Sequence, residues 1–152
     1  MLKANFITAQ EAAEKIQDGS TLCTIGMTLV SASESILKAI EKRFETVGHP
    51  ADITLVHSCG QSDRKDGIQH FAHEGMVTRI IGSHWGLQPR WMEMIANSQV
   101  EAYCLPQGQI AQLYRSMACG LPGKMSKVGL GTFIDPRVEG GKMNDRTKPL
   151  PD

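Results

Sequence analysis

Thr21-Leu-Cys-Thr-Ile25, closed by Gly26, is a short run rich in β-branched residues that reads as a buried strand. Ser31-Ala-Ser-Glu34 follows with the spacing of a capping box. It opens a helix with Ile36, Leu37, Ile40 and Phe44 on one face, broken at Gly48-His49-Pro50. Ile53-Thr-Leu-Val56 is then a second strand. This strand–helix–strand unit decides the fold, because the chain repeats its alternation on both sides. Upstream, Thr8-Ala-Gln-Glu11 is another capping box. Its helix keeps Ala12, Ala13 and Ile16 on one face, runs to Gln17 and ends at Asp18-Gly19. Downstream, a polar loop from Ser58 to Gly67 leads to a short helical segment from Ile68 to Gly75 and a strand over Val77–Ile81. A helix then follows Pro89 as far as Asn97, before a strand over Val100–Cys104 and a helix from Gln107 to Cys119. Lys127–Leu130 is expected as a last short strand before a Gly- and Pro-marked irregular stretch. The alternation predicts an α/β fold: an open, mostly parallel sheet with flanking helices.

Composition narrows the function classes. The chain has 152 residues, 41% of them hydrophobic and 21% charged, which is one domain with enough apolar material for a core. Sixteen basic residues balance sixteen acidic ones, so the basic excess of a nucleic-acid binder is missing. No stretch approaches the length of a transmembrane helix, and the N-terminus lacks the apolar region of a signal peptide. Cys23, Cys59, Cys104 and Cys119 lie far apart with no C-x-x-C, which fits neither a zinc ribbon nor a disulfide framework. A reduced, cytoplasmic setting is the expectation.

In open parallel sheets, ligands bind at the carboxyl ends of strands, in the crevice where the strand order reverses. Attention therefore falls on the loops Gly26–Val30, Ser58–Asp66, Gly82–Gly86, Leu105–Gly108 and Gly131–Arg137. His70-Phe-Ala-His73 places two imidazoles one helical turn apart, but the pattern matches no zinc motif and offers no third ligand; no metal is expected. Gly26-Met-Thr-Leu lacks the glycines of a dinucleotide fingerprint, and no Walker A sequence exists. Cys59, after a strand and before Gly60, is placed as a nucleophile would be, although a free cysteine is more often a small buried hydrophobe. His57 and Ser58 are adjacent on a strand and so face opposite ways, which argues against a dyad.

Several loop sequences go further when taken together. Gly82-Ser-His-Trp-Gly86, Tyr103-Cys-Leu-Pro-Gln-Gly108 and Val128-Gly-Leu-Gly-Thr-Phe-Ile-Asp-Pro-Arg137 stand in family order, followed by Gly140-Gly141-Lys142 and Asn144. With Gln69-His-Phe-Ala-His-Glu-Gly75 and Glu41-Lys-Arg-Phe44 upstream, they resemble the family I CoA-transferases from about Ile7 to Lys148, nearest the propionate/acetate branch. The resemblance implies a CoA-transferase (NagB-like) α/β fold. Residues 1–148 would be the N-terminal part of an alpha-type domain and 149–152 an irregular tail. It also implies transfer of CoA between small carboxylic acids (acetate, propionate or 3-oxoacids) through a glutamyl-CoA thioester, with acyl-CoA as substrate and no resident cofactor. Gln107 falls where the family places a polar group near the carboxylate and thioester, and Gly108 lets a ligand approach the backbone.

The chain departs from the family pattern at three places. After the first strand only Gly26 of a glycine-rich turn remains, and after the second strand Ser58-Cys59 stands where some relatives have paired asparagines. These residues are the further substrate-binding candidates. The third departure is the nucleophilic glutamate, which the family carries in its second half or in a β-type subunit. Glu74 and Glu139 lie in segments with other family counterparts and are expected to be surface carboxylates. The expectation is therefore an incomplete transferase, needing its missing half or a β-type partner and prone to form homo-oligomers. A catalytically inactive remnant or interaction module of the same fold is the alternative. Arg64, Lys65 and Arg115 are possible but unspecific phosphate contacts.

Overall fold

A computed structural model describes residues 4–149. Helix α1 (Ala9–Glu14) precedes β1 (Thr21–Thr24), α2 (Glu34–Val47) and β2 (Ile53–His57). A 3-10 helix (Gly67–Phe71) leads to β3 (Val77–Gly82), α3 (Pro89–Ala96), β4 (Glu101–Cys104) and α4 (Gln107–Ala118). All four strands are parallel, in the order β1-β2-β3-β4. The expected α/β open sheet with flanking helices is what forms. Among the described residues no helix is long and apolar enough to cross a membrane.

Register explains the layers. Leu22, Leu55, Ile80 and Ala102 are partners across the four strands and make one apolar row on one face of the sheet. Right-handed crossovers put the intervening helices on that same face. There Leu37 and Ile40 of α2, Ile68 and Phe71 of the 3-10 helix, and Trp91 and Ile95 of α3 complete the core. The row Val56, Ile81 and Tyr103 lines the opposite face. Residues 142–148 seal the outer edge of β4: Met143 N–H donates to Ala102 O at 2.9 Å, and the Tyr103 hydroxyl donates to Lys148 O at 2.7 Å.

Local chemistry corrects four expectations. The Thr8–Glu11 capping box forms, but its helix stops at Glu14, three residues short of Gln17. No capping box forms at Ser31–Glu34: Ser33 is the N-cap and makes no side-chain cap bond. Glu34 is taken instead by tertiary partners, accepting from Gly67 N–H at 3.0 Å and lying 2.7 Å from His70 Nε2. The helical segment expected over Ile68–Gly75 is the shorter 3-10 helix. Lys127–Leu130 is not a strand, because Gly129 and Gly131 take φ of +90° and +77° and turn the chain where a strand must stay extended. The expected tail lies, from residue 150 on, outside the described residues.

A half-buried cluster of carboxylates and histidines ties α2 to the 3-10 helix. Glu34 and Glu41, two turns apart, flank His70: its Nε2 meets Glu34 and its Nδ1 bonds Glu41 Oε2. His73 Nε2 lies 2.8 Å from the other oxygen of Glu41, and Arg90 approaches that oxygen at 3.8 Å. The two histidines that looked like a metal pair are thus hydrogen-bonded to carboxylates. Removing the His70 ring leaves two half-buried carboxylates without that partner. His70→Ala should lower unfolding stability by about 2–4 kcal/mol in a denaturant titration, whereas a change below about 0.5 kcal/mol contradicts a structural role for the cluster.

The 129–141 segment is organised by Asp135. Its buried carboxylate accepts from Gly131 N–H at 2.7 Å, from Arg137 N–H at 3.0 Å and from the Arg137 guanidinium at 2.7 and 3.0 Å. Arg137 first, then the Gly131 N–H, hold this carboxyl well below the usual carboxylate range. A depressed folded value means the knot is intact above the ordinary aspartate value of about 4 and weakens only as the pH falls further. The Gly131 amide resonance should hold its position down to about pH 4 and move only below it. Asp135→Asn should abolish that dependence, and a midpoint above pH 4 contradicts the assignment.

Candidate active site at the carboxyl ends of the strands

The strand order runs in one direction from β1 to β4, so the reversal expected to create a ligand crevice does not occur among the described strands. Parallel pairing still brings the loops after all four strands to one end of the sheet. The loop after β2 is the best fixed of them. Ser58 O accepts from the Ser83 hydroxyl at 2.7 Å, and Cys59 O accepts from His57 Nδ1 at 2.7 Å. Gly60 N–H donates to His84 Nε2 at 3.3 Å, and Gly60 O accepts from Thr28 N–H at 2.9 Å. Three consecutive residues are therefore anchored from β2 itself, from the loop after β3 and from the loop after β1.

Two glycines make this arrangement possible. The His57 ring lies over Gly82, where a Cβ would come within 2.3 Å of Nε2. A Cβ on Gly60 would stand 2.5 Å from His84 Cε1. Burial, foremost, pushes His57 down to about 4, so near neutral pH the ring is uncharged; with its hydrogen on Nδ1 it can donate to Cys59 O. The expectation that His57 and Ser58 do not form a dyad holds: His57 is fully buried with Nδ1 on Cys59 O, whereas Ser58 is half-buried with its carbonyl on the Ser83 hydroxyl.

The structure joins Gly26 to Ser58 and Cys59 through neighbouring loops. Gly26 takes φ +139°, and a Cβ there would sit 3.0 Å from Val30 O. The tight turn it permits pairs Met27 with Val30 and presents Thr28 N–H to Gly60 O. Cys59 is buried, with its sulfur 4.0 Å from His84 Nε2, a nitrogen already accepting from Gly60. That geometry anchors the backbone and does not set up a thiol–imidazole dyad. Gln107 and Gly108 form the exposed first turn of α4, behind Pro106 as N-cap, and a Cβ at Gly108 would meet nothing within 4 Å.

Sequence reasoning missed the residues that hold this end together. Tyr114 of α4 reaches back so that its hydroxyl lies 3.3 Å from Thr24 O and 3.2 Å from Val56 O, the carbonyls near the ends of β1 and β2. Gln61 Nε2 donates to Thr24 O at 2.8 Å. Neither contact has a local sequence signal, because the partners lie 37 to 90 residues away.

Glu74 is exposed just before β3, at the opposite end of the sheet, and Glu139 is exposed and lies 3.8 Å from Lys142. Glu41 and Glu45 with His73, and likewise Glu34 and Asp66 with His70, have ligand atoms within 4.8 Å of one another. The second cluster also holds a lysine. The Lys38 ammonium lies 3.2 Å from both carboxylates and supplies the cation there.

The profile described as Coenzyme A transferase matches residues 6–151. A caffeate CoA-transferase of Acetobacterium woodii is 41% identical over 145 residues, 95% of this chain and 28% of that relative. The crystal structure of the acyl-CoA transferase YdiF apoenzyme from Escherichia coli O157:H7 superposes with a TM-score of 0.88 at 35% identity, covering 93% of this chain and 28% of that one. Its structure described as a thioester complex with CoA superposes at 0.86, again at 35% identity and 93% and 28% coverage. This chain thus spans little more than a quarter of the length of these relatives. Its anchored strand-end loops and their family sequences agree, and the chain belongs to the Coenzyme A transferase family.

Proposed function

We propose that the chain is the N-terminal portion of an acyl-CoA:carboxylate CoA-transferase and holds the carboxylate end of its substrates. The observation that carries this reading is the convergence of three loops at one end of the sheet. Thr28 bonds Gly60 there, and α4, beginning with Gln107, is tied back to β1 and β2. A side-chain amide on the exposed first turn of α4 can donate to a carboxylate, or to the oxyanion formed from it, without adding charge.

The nucleophile lies outside these 152 residues in this reading. A glutamate carboxylate attacks the acyl-CoA carbonyl, forming a mixed anhydride and releasing CoA thiolate. The thiolate attacks the glutamyl carbonyl, forming the glutamyl-CoA thioester and freeing the first acid. The second acid reverses the two steps and leaves as acyl-CoA, restoring the glutamate. Acetate, propionate and 3-oxoacids are the substrate class, and coenzyme A is a substrate. The second half is supplied by further polypeptide or by a β-type subunit.

The test is transfer of CoA from acetyl-CoA to propionate. This chain alone should give no turnover. Joined to the complementary length of the Escherichia coli acyl-CoA transferase, it should be active. In that hybrid, Gln107→Ala should lower kcat about a hundredfold, the scale of losing one oxyanion donor. A hybrid that folds but transfers no CoA contradicts the reading, and full activity in the variant removes Gln107 from the site.

A further inference from the structure

We propose that Tyr114 is the positioning residue of this site, setting α4, and with it Gln107 and Gly108, against the ends of β1 and β2 and the Ser58 loop. The proposal rests on the functional reading above for its catalytic consequence, but its structural part stands alone. Gln107 and Gly108 are exposed in the first turn, and Pro106 makes no side-chain cap bond. A helix starting so freely needs a fixed point further along.

Ile110 supplies apolar contact in the buried core, but an apolar contact sets no direction. The Tyr114 hydroxyl supplies one. It lies 3.3 Å from Thr24 O and 3.2 Å from Val56 O, on two neighbouring strands. Thr24 O already receives Gln61 Nε2, so the single phenolic hydrogen is best used at Val56 O. Val56 lies two residues before Ser58, so the helix and the loop are tied to the same strand end. Burial pushes the phenol up to about 12, so it keeps its hydrogen throughout the neutral range.

Hydrogen exchange on this chain tests the structural part. Tyr114→Phe should make the amides of Ile110–Ala118 exchange about tenfold faster, the scale of one lost hydrogen bond, while those of β2 and β3 stay unchanged. Tyr103→Phe, which removes the bond to Lys148 O, is the control and should leave α4 unaffected. Unchanged α4 protection overturns the proposal, and so does equal acceleration throughout the chain, which marks a merely stabilising residue. In the active hybrid, Tyr114→Phe should lower kcat about tenfold with the KM for acetyl-CoA within about twofold. An unchanged kcat overturns the positioning role. If the unmodified hybrid transfers no CoA, the functional reading fails, and the exchange result alone decides the structural part.

Discussion

Parallel pairing of four strands in sequence order is the constraint on which everything else depends. Each parallel connection must cross over the sheet, and the right-handed crossovers fall on one face. That face becomes the core and buries Leu55, Ile80 and Ala102. The same constraint delivers the loops after the strands to one end, where polar side chains are free to hold one another. The core and the candidate site therefore share one cause.

The site end is held by polar bonds, most of them partly buried and most between segments distant in sequence. His57, seated over Gly82, can donate from Nδ1 to Cys59 O, and Thr28 and Ser83 reach the same loop from the two flanking turns. The fully buried His57–Cys59 bond loses little to water competition and leaves a costly orphan when broken. The opposite side of the core is fastened differently, by His70 and His73 against Glu34 and Glu41.

The strands and most helices were legible because their signals are local: β-branched runs, apolar faces, Pro89 at the start of α3 and Gly48 at the end of α2. Local reading failed where a distant partner competed. Ser31–Glu34 has the letters of a capping box, but the Glu34 carboxylate is worth more to His70 and Gly67 than to its own helix. Lys127–Leu130 has strand letters but sits between turns set by Gly129, Gly131 and the Asp135 knot. Ser58, Cys59 and Gly26 were singled out where the chain departs from the family pattern after β2 and β1, and the structure links those two loops through Thr28 and Gly60. Tyr114 and Gln61 were invisible, since nothing near them in sequence announces partners on other elements.

In the proposed function this chain positions substrate while the reacting carboxylate comes from elsewhere. Borohydride reduction of the hybrid enzyme during turnover, followed by peptide mass spectrometry, tests it most directly, because reduction converts a glutamyl thioester to a stable alcohol. The account predicts the modified glutamate in the complementary half. A modified Glu74 or Glu139 would place the nucleophile within this chain and contradict it.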